Sequence, residues 1–499
     1  MQRRNFLRGF TLATGSIGLA SACQTNSTES TGDPAANPFQ HGVASGDPMA
    51  DRVILWTRIS PGVVSEVSWW IADNAQGTNP AARGVQQTDS NRDYTVKVDA
   101  AGLQPDQSYF YGFSAGNWSS PVGRTRTLPV GNVAAVHLAV TSCANHPHGF
   151  FNAYNHIAQQ ENLNAVLSLG DYLYEYANSE YGDGRPLNRV PEPNAEITTL
   201  QDYRTRHAQY KTDPDLQAAH QAHPWIVVWD DHESANNSWS DGAENHSPET
   251  EGSWAARKAA AIRAYYEWMP IREVPTGLYR SFRFGNLADL VMLDTRLEGR
   301  DEQGTREDLA TANDPDRSLL GPVQEARFLD HLQTLQRAGV RWKVVGQQVV
   351  FAPWTDGKSP FNPDSWDGYR ASRRRVLDHI TQHNIQDTVI LTGDVHSAWG
   401  MEVPDDEGVP RAIEFVAPAV SSPPLATNSP QLRQLVEQAP QQAPHIKFAD
   451  GDHNGYLLIQ FNQQQVQASW WFTGDRNTRD GSADEGHSLT SASGSSQLT

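Results

Sequence analysis

Four apolar stretches of the sequence each end in side chains of the types that bind metal ions. The stretches cover residues 136–140, 165–169, 225–229 and 388–391. The side chains that follow them are Cys143, Asp171, Tyr174, Asp231, Asp394 and His396. In open α/β sheets, ligands bind beyond the carboxyl ends of the strands, so we expect these side chains to surround one point. Because so many ionisable groups would repel one another, the pattern predicts a multivalent cation between them.

Each cluster has an ordinary alternative when it is taken alone. Asp231 and its polar neighbours could form a solvated loop, and Cys143 could be a buried apolar residue. These alternatives are less favoured when the clusters are taken together, because all four follow the same kind of apolar stretch. The joint pattern therefore favours a shared metal centre over coincidence.

The types of candidate ligand indicate which ions the centre prefers. A thiolate, a phenolate and an imidazole together suit a transition metal such as Fe(III) better than Mg²⁺ or Ca²⁺. Asp231 and Asp394 offer hard oxygen atoms that suit Ca²⁺, Mg²⁺ or Mn²⁺. Asp171 lies between the two sets and is the natural bridge. Two ions about 4 Å apart can clamp a phosphate ester and generate hydroxide at neutral pH.

The elements that must position these residues follow from the pattern after about residue 134. Apolar, strand-like stretches alternate there with predicted helices. The predicted helices cover 152–160, 200–221, 253–269, 322–338 and 369–383. This alternation predicts an α/β (α+β) core over residues 131–479, in which layered sheets are flanked by helices.

Residues 39–130 have a different pattern, which is typical of an all-β domain. Short β-rich stretches are separated there by Gly, Pro and Asp. They include 53–58, 67–71, 94–98 and 109–113. The spacing predicts a small β-sandwich of the immunoglobulin or fibronectin III type, to which we assign no chemistry. The Ser-, Thr- and Gly-rich segment 480–499 is predicted to be a disordered tail.

The composition excludes several classes of protein. The chain has 499 residues, of which 39 are basic and 58 acidic, and its formal net charge is −19. This acidic excess argues against nucleic acid as the main partner, because phosphate contacts need Lys and Arg. With two cysteines, Cys23 and Cys143, the chain cannot be a disulfide scaffold. Its length exceeds the ~250–300 residues at which a single core stops growing, so two domains are expected.

Residues 1–22 have the features of an export signal. Arg3 and Arg4 precede a short apolar stretch that ends in an A-x-A motif. The paired arginines favour the twin-arginine route over an ordinary secretory signal, and residues 23–38 would form a linker. The mature protein would be periplasmic or secreted, and lipid attachment to Cys23 stays open beside ordinary cleavage. No other segment approaches the ~20 apolar residues of a membrane span.

Several longer motifs also occur in an order that is typical of one known family. They are Phe39–Pro48, Ser142-Cys143-Ala144, Gly170–Glu175, Trp229–Glu233, Leu293–Arg296 and Gly393–His396. Through these motifs, residues 39–472 resemble the PhoD-like family of alkaline phosphatases and phosphodiesterases, within the metallophosphatase superfamily. The twin-arginine signal of that family agrees with residues 1–22.

The resemblance implies a core similar to that of purple acid phosphatases, with an iron centre that has a cysteine ligand and with accompanying calcium. Carried over motif by motif, the implied iron ligands are Cys143, Asp171, Tyr174 and His396. The implied calcium ligands are Asp171, Asp231 and Asp394. Asp231 is preferred to Asp230 because it directly precedes His232, which matches the Asn-His pair of related metallophosphatases.

We therefore expect an exported phosphoric ester hydrolase that acts on phosphate mono- and diesters through a metal-bound hydroxide. Its partners would be these esters and the twin-arginine machinery, with no nucleic acid and no transmembrane segment; a monomer is compatible with the sequence. His232 is a candidate to contact the phosphate, to protonate the leaving oxygen, or to orient a ligand carboxylate. Asn145 is a candidate to donate a hydrogen bond to phosphate or to cap a turn. His453 is interpreted as a loop residue rather than a ligand.

Other functions remain as alternatives. The resemblance also allows a phospholipase D-like phosphodiesterase that acts on lipids. A non-catalytic exported binding protein, stabilised by metal ions, is the alternative from another class. A serine hydrolase is weaker, because the G-x-S-x-G match at residues 112–116 falls inside the predicted β-sandwich, where no helix follows it.

Overall fold

A computed structural model describes residues 37–62, 65–354 and 362–499. The predicted signal peptide and Cys23 lie outside the described residues, as does nearly all of the predicted linker. The first strands along the chain are β1 (Val43–Gly46), β2 (Arg52–Arg58), β3 (Glu66–Ala72), β4 (Ala82–Gln87), β5 (Thr95–Ala101), β6 (Ser108–Ala115), β7 (Trp118–Ser119), β8 (Gly123–Arg126), β9 (Ala135–Thr141), β10 (Ala165–Ser168), β11 (Pro224–Val227), β12 (Ser238–Trp239) and β13 (Gly242–Ala243). The later strands are β14 (Arg280–Phe284), β15 (Ala288–Met292), β16 (Trp342–Gly346), β17 (Thr388–Thr392), β18 (Ala398–Pro404), β19 (Pro410–Val416), β20 (Ile446–Asp450), β21 (Gly455–Asn462), β22 (Gln465–Thr473) and β23 (Ala483–Ala492). The helices are α1 (Asn152–Ala158), α2 (Leu200–Lys211), α3 (Pro214–Ala222), α4 (Pro248–Glu251), α5 (Trp254–Trp268), α6 (Leu309–Ala312), α7 (Gly321–Arg337), α8 (Arg370–Gln382) and α9 (Pro430–Gln442).

Two large sheets form the core of the molecule. The first has the strand order β23-β22-β21-β9-β10-β11-β1-β2-β5, and the second has the order β14-β15-β16-β17-β19-β18-β20. In the first sheet, the neighbouring pairs β9–β10, β10–β11 and β11–β1 are parallel. In the second sheet, the parallel pairs are β15–β16, β16–β17 and β17–β19. Apolar side chains from both sheets share one core cluster, for example Val140 and Leu167 from the first sheet and Val389 and Phe415 from the second.

Helices cover this pair of sheets. Tyr154 of α1 and Tyr203 of α2 pack into the core that the two sheets share. Phe328 of α7 and Val376 of α8 pack with strands of the second sheet. The predicted layered α/β core is therefore confirmed.

The predicted helix over 200–221 is in fact two helices, α2 and α3, because the helical conformation is interrupted between them. Asp213 caps the start of α3, where its side chain accepts hydrogen bonds from the backbone N–H groups of Asp215 and Leu216. Pro214 occupies the first turn of α3, a position at which its missing N–H has no cost. A capping aspartate followed by proline thus ends one helix and begins the next.

The predicted N-terminal β-sandwich is present, but it is continuous with the core. One of its layers is a separate sheet of β4, β3, β6, β7 and β8. The other layer consists of β1, β2 and β5, which extend the first large sheet because β1 pairs in parallel with β11. Apolar residues such as Val53, Ile71 and Tyr111 fill the space between the two layers.

The prediction of a disordered tail is wrong. Residues Ala483–Ala492 form strand β23, which pairs antiparallel with β22 along its whole length. Leu489 of this strand is buried, and a Cβ atom on Gly400 would lie only 2.5 Å from its Cδ1 atom. The small polar residues of the segment suggested disorder, and nothing in their own pattern shows that the preceding strand, β22, pairs with them.

None of the helices in the described ranges is long and apolar enough to cross a membrane.

Replacing Leu489 with Ala is expected to lower the free energy of unfolding by about 2–4 kcal/mol, because the substitution removes buried apolar contacts and leaves a cavity. Chemical denaturation monitored by tryptophan fluorescence measures the change. Ser488→Ala is the matched control, since Ser488 is exposed on the same strand. Equal stability of both variants would contradict a packed C-terminal strand.

Candidate metal centre

The predicted site residues follow strands whose carboxyl ends meet between the two sheets. Cys143 follows β9, Asp171 and Tyr174 follow β10, and Asp231 follows β11, which are neighbours in the first sheet. Asp394 and His396 follow β17 of the second sheet. Two glycines allow the close approach of these strand ends. A Cβ atom on Gly170 would lie 2.4 Å from the Cβ atom of Asp230, and one on Gly393 would lie 2.6 Å from that of Ser142.

Three overlapping groups of side chains could hold a metal ion in the part of the chain that the structure describes. Within each group, the possible ligand atoms lie within 4.8 Å of one another. The groups are Cys143, Asp171 and His396; Asp171, Asp231 and His232; and Asp230, Asp231 and Asp394. Asp171 belongs to the first two groups, so its position is that of a bridging carboxylate.

Tyr174 lies at the first of these groups. Its hydroxyl donates a hydrogen bond to Asp171 Oδ2 at 2.9 Å and lies 3.1 Å from His396 Nε2. The phenol oxygen is therefore placed beside two of the other candidate ligands. All the candidate ligands from the sequence are thus brought to one region of the structure.

Backbone conformation sets these residues apart from their neighbours. Cys143, Asp171, Asp394 and His396 have φ angles of 61°, 51°, 68° and 52°, in the left-handed region. Residues with a Cβ atom seldom adopt such angles, which cost of order 1–3 kcal/mol each and cluster at functional sites. The strain turns these side chains toward the space between the sheets instead of continuing the strands.

Three buried carboxylate oxygens at this point have no hydrogen-bond partner within the described residues, namely Asp171 Oδ1, Asp230 Oδ2 and Asp231 Oδ1. Asp171 and Asp231 are 1% and 2% exposed, respectively. Burial raises the pKa of Asp171, and burial together with the charge of Asp171 raises the pKa of the Cys143 thiol. A cation among these groups would supply the missing partner and stabilise their anionic forms. The residues therefore fit a metal centre.

Arg296 neutralises another part of the carboxylate cluster. Its side chain is fully buried and donates hydrogen bonds to Asp230 through Nε and to both oxygens of Asp364, at 2.8 and 2.7 Å, through Nη1. Its Nη2 atom lies 3.2 Å from Asp394 Oδ1 and 3.6 Å from Asp231 Oδ1. Losing one partner of such a buried pair typically costs ~3–5 kcal/mol, because the other charge is left uncompensated.

Asp230 and Asp231, which the sequence could not separate firmly, have different surroundings. Asp230 is held by Arg296, whereas Asp231 lines the cavity above the centre. Asp231 Oδ2 accepts a hydrogen bond from the backbone N–H of Asn237 at 2.6 Å, and each of the two aspartates keeps one oxygen without a hydrogen-bond partner among the described residues. The position of Asp231 on the cavity wall therefore favours it as the ligand.

Glu233 binds the backbone of two loops that carry site residues. Its carboxylate accepts hydrogen bonds from the backbone N–H groups of Asp171 at 3.1 Å, Tyr172 at 2.6 Å and Asp230 at 2.9 Å. Burial raises its pKa to about 8, although these three donors oppose the shift. Glu233 is thus turned toward the backbone and ties the end of β10 to the end of β11.

His232 faces the same cavity and is oriented by a carboxylate. Its Nδ1 atom lies 2.7 Å from Glu175 Oε2, and its ring stacks on that of Tyr174 with centroids 4.1 Å apart. Burial alone would lower the pKa of His232, but Asp171, Asp231 and Glu175 raise it well above its usual value. Because Nδ1 contacts Glu175, Nε2 is the ring nitrogen that is left to face the cavity.

The cavity has a volume of about 410 Å³ and opens above the candidate ligands. Asp171, Asp231, His232, Asp394 and His396 line it on one side. The other lining residues include Tyr176, Tyr181, Trp354, Leu425 and Leu432. The cavity therefore joins the charged centre to aromatic and apolar side chains.

Asn145 and His453 have different positions relative to this cavity. Asn145 is buried on the loop after Cys143, and neither atom of its side-chain amide has a hydrogen-bond partner in the described chain, but it is not among the residues that line the cavity. His453 is exposed and hydrogen-bonded to Asp450 at 2.8 Å, as a loop residue would be.

Sequence reasoning missed several residues that support the centre. Glu175 follows Tyr174 directly, so its place at a strand end was an available signal. Asp364 had no such signal, because it lies 68 residues from Arg296 in the sequence and follows no apolar strand. Ser422, whose hydroxyl donates to the Tyr174 oxygen at 2.8 Å, likewise had no sequence signal, because it lies in a loop far from Tyr174 in the sequence.

Comparison with known proteins matches the chain to one family. Residues 138–470 match the family model of the PhoD-like phosphatase, and residues 23–129 match that of its N-terminal domain. Alkaline phosphatase D of Bacillus subtilis (strain 168) is 38% identical over 506 residues, which cover 94% of this chain and 84% of that protein. A solved structure described as PhoD superposes with a TM-score of 0.84 at 35% identity, covering 93% of this chain and 92% of the other. The chain therefore belongs to the PhoD-like phosphatase family and is a phosphoric ester hydrolase.

Proposed function

We propose that this phosphatase hydrolyses phosphate mono- and diesters at a centre that binds ferric iron and calcium. The observation that carries the proposal is the set of carboxylate oxygens without a hydrogen-bond partner in the described chain, on Asp171, Asp230 and Asp231, beside a thiol, a phenol and an imidazole. The proposed iron ligands are Cys143, Asp171, Tyr174 and His396, and the proposed calcium ligands are Asp171, Asp231 and Asp394. When bound, the ions would polarise the phosphate oxygens and activate water for attack on phosphorus.

The side chains around the ions would hold the ester and limit its contact with water. The stacked rings of Tyr174, Tyr181 and His232 form one wall beside the centre. Trp354 and Leu425 line the cavity as well and offer apolar surface to the organic group of an ester. This combination supports an organic phosphate ester as the substrate.

His232 would act on the leaving group. Because its Nδ1 atom is bound to Glu175, its Nε2 atom is the one available to the cavity. We infer that Nε2 donates a proton to the oxygen of the leaving alcohol as the bond to phosphorus breaks. Asn145 does not line the cavity, so its amide, which has no partner in the described chain, is the only support for its proposed hydrogen bond to a phosphate oxygen.

Export through the twin-arginine route is also part of the proposal. It is supported by Arg3 and Arg4 ahead of the apolar stretch, and the protein would then act in the periplasm or outside the cell. Cys23, at the end of this segment, is either the first residue after cleavage or a site of lipid attachment.

Cys143→Ala and Asp171→Asn are each expected to lower kcat/KM by at least about 100- to 1000-fold, since each removes an anchor of the charge that stabilises the transition state. The assays are hydrolysis of 4-nitrophenyl phosphate and of bis(4-nitrophenyl) phosphate, with elemental analysis of the same samples. Iron together with calcium is expected in the wild type, and less iron in both variants.

The matched control for these variants is His453→Ala, which removes an exposed histidine of a loop. It is expected to keep its activity and its metal content. Near-normal turnover by Cys143→Ala or Asp171→Asn would contradict the metal centre, and zinc alone in the wild type would contradict the iron assignment.

His232→Asn is expected to slow hydrolysis of an alkyl phosphate by about 100-fold or more, because a poor leaving group needs the proton. Hydrolysis of 4-nitrophenyl phosphate, whose leaving group is stable as an anion, should fall much less. The ratio of kcat values for the two esters, measured on each enzyme, gives the result. A uniform loss for both esters would argue against proton donation by His232.

Replacing both Arg3 and Arg4 with Lys is expected to keep the enzyme in the cytoplasm, since the twin-arginine route reads this pair. Cell fractionation followed by phosphatase assay measures the distribution. Lys keeps the positive charge, so an ordinary secretory signal would still export the variant, and that outcome would contradict the route.

A further inference from the structure

The oxygen of Tyr174 has a hydrogen-bond donor that is not itself a candidate ligand. Asp171 Oδ2 and His396 Nε2 lie 2.9 and 3.1 Å from this oxygen, on the side of the centre. Ser422 Oγ lies 2.8 Å from it and donates a hydrogen bond to it. Ser422 is fully buried, so water does not compete for this contact.

The backbone of Ser422 is fixed from two directions. Its N–H group donates to the carbonyl of Cys143 at 3.1 Å. Its carbonyl accepts a hydrogen bond from Asn454 Nδ2 at 2.8 Å, and the same Nδ2 atom donates to the carbonyl of Ala419 at 3.0 Å. The position of the serine hydroxyl is therefore set by the loop that carries Cys143 and by the turn before β21.

We propose that Ser422 is a positioning residue for the metal centre, whose hydroxyl orients the Tyr174 oxygen toward the ion and stabilises its negative charge. A phenol oxygen that binds a ferric ion carries negative charge, and in a buried site such a charge needs a hydrogen-bond donor. Partners behind the ligands commonly change metal affinity by 10–100-fold. The inference rests on the proposed role of Tyr174 as an iron ligand.

The neighbouring serine offers a matched comparison. Ser421 is also buried, and its N–H group also points to the carbonyl of Cys143, at 3.3 Å. Its hydroxyl, however, donates to the backbone carbonyl of Asn145 at 2.9 Å and not to a candidate ligand. The two serines thus differ chiefly in whether the hydroxyl faces Tyr174.

The experiment is a double-mutant cycle on metal affinity. The apparent affinity for Fe(III) is measured by competition with a chelator at constant pH for the wild type, Ser422→Ala, Tyr174→Phe and the combined variant. We expect Ser422→Ala to weaken binding by about 10–100-fold, and to have no further effect once Tyr174→Phe has removed the oxygen. Ser421→Ala should have little effect, and Ser422→Thr, which restores a hydroxyl, should recover most of the affinity.

A second readout is the visible absorption band of the iron-loaded protein, which arises from charge transfer from phenolate and thiolate to Fe(III). A phenolate that has lost a hydrogen bond is a stronger electron donor, so Ser422→Ala should move the band to longer wavelength. Ser421→Ala should leave it in place. A purely structural role for Ser422 would lower the yield of folded protein without moving the band.

The outcomes separate this inference from the proposed function. An equal loss of affinity on replacing Ser422 in the wild type and in Tyr174→Phe would overturn the inference, as would an unchanged affinity and band in Ser422→Ala. If the wild type retains an ion other than iron, the iron assignment falls, and the same cycle with that ion decides the role of Ser422. Full affinity in Tyr174→Phe would overturn both.

Discussion

The architecture of the site depends on one electrostatic constraint, which is the burial of several carboxylates where the two sheets meet. An ionised carboxylate without a partner is very costly away from water. Glu233 is compensated by backbone N–H groups, and Asp230 and Asp364 by Arg296. One oxygen each of Asp171, Asp230 and Asp231 still lacks a hydrogen bond in the described residues, and we propose that metal ions complete the balance.

Each sheet has a buried glutamate near the strand ends that carry the candidate ligands. Glu233 binds backbone N–H groups at the ends of β10 and β11. In the second sheet, Glu414 accepts hydrogen bonds from the N–H groups of Phe351 and Ala352, at 2.8 and 2.7 Å, and from the hydroxyl of Thr392 at 2.6 Å. Thr392 ends β17, just before Asp394. Glu233 thus holds the backbone of Asp171, whose φ angle is left-handed, and Glu414 holds the end of the strand that precedes Asp394.

The N-terminal region contributes to this rigidity although it carries none of the candidate ligands. Strand β1, from the Phe39–Pro48 motif, pairs with β11, the strand that precedes Asp231. Directly after β1, buried Asp47 accepts a hydrogen bond from the N–H group of Arg272 at 2.7 Å and lies 3.1 Å from Arg280 Nε. Arg280 also donates to the carbonyl of Val227, at the end of β11. The motif thus connects the N-terminal sandwich to the second sheet, through Arg280, and to β11, the strand that precedes Asp231.

Much of the fold and of the candidate site was predictable from the sequence, because the signals are local. Apolar stretches of strand length, followed directly by Cys143, Asp171, Asp231 or Asp394, indicate both the layered core and the place of the centre, whatever the rest of the chain does. The sequence by itself therefore determined the candidate ligands, the strands that carry them and the family of the chain.

The contacts between distant segments depended on the tertiary structure. Asp364 and Ser422 reach Arg296 and Tyr174 from loops that have no periodic pattern. The polar C-terminal segment is a strand only because β22 presents an edge to it. Such pairings are decided by which surfaces meet after folding, and composition within a window of sequence does not contain that information.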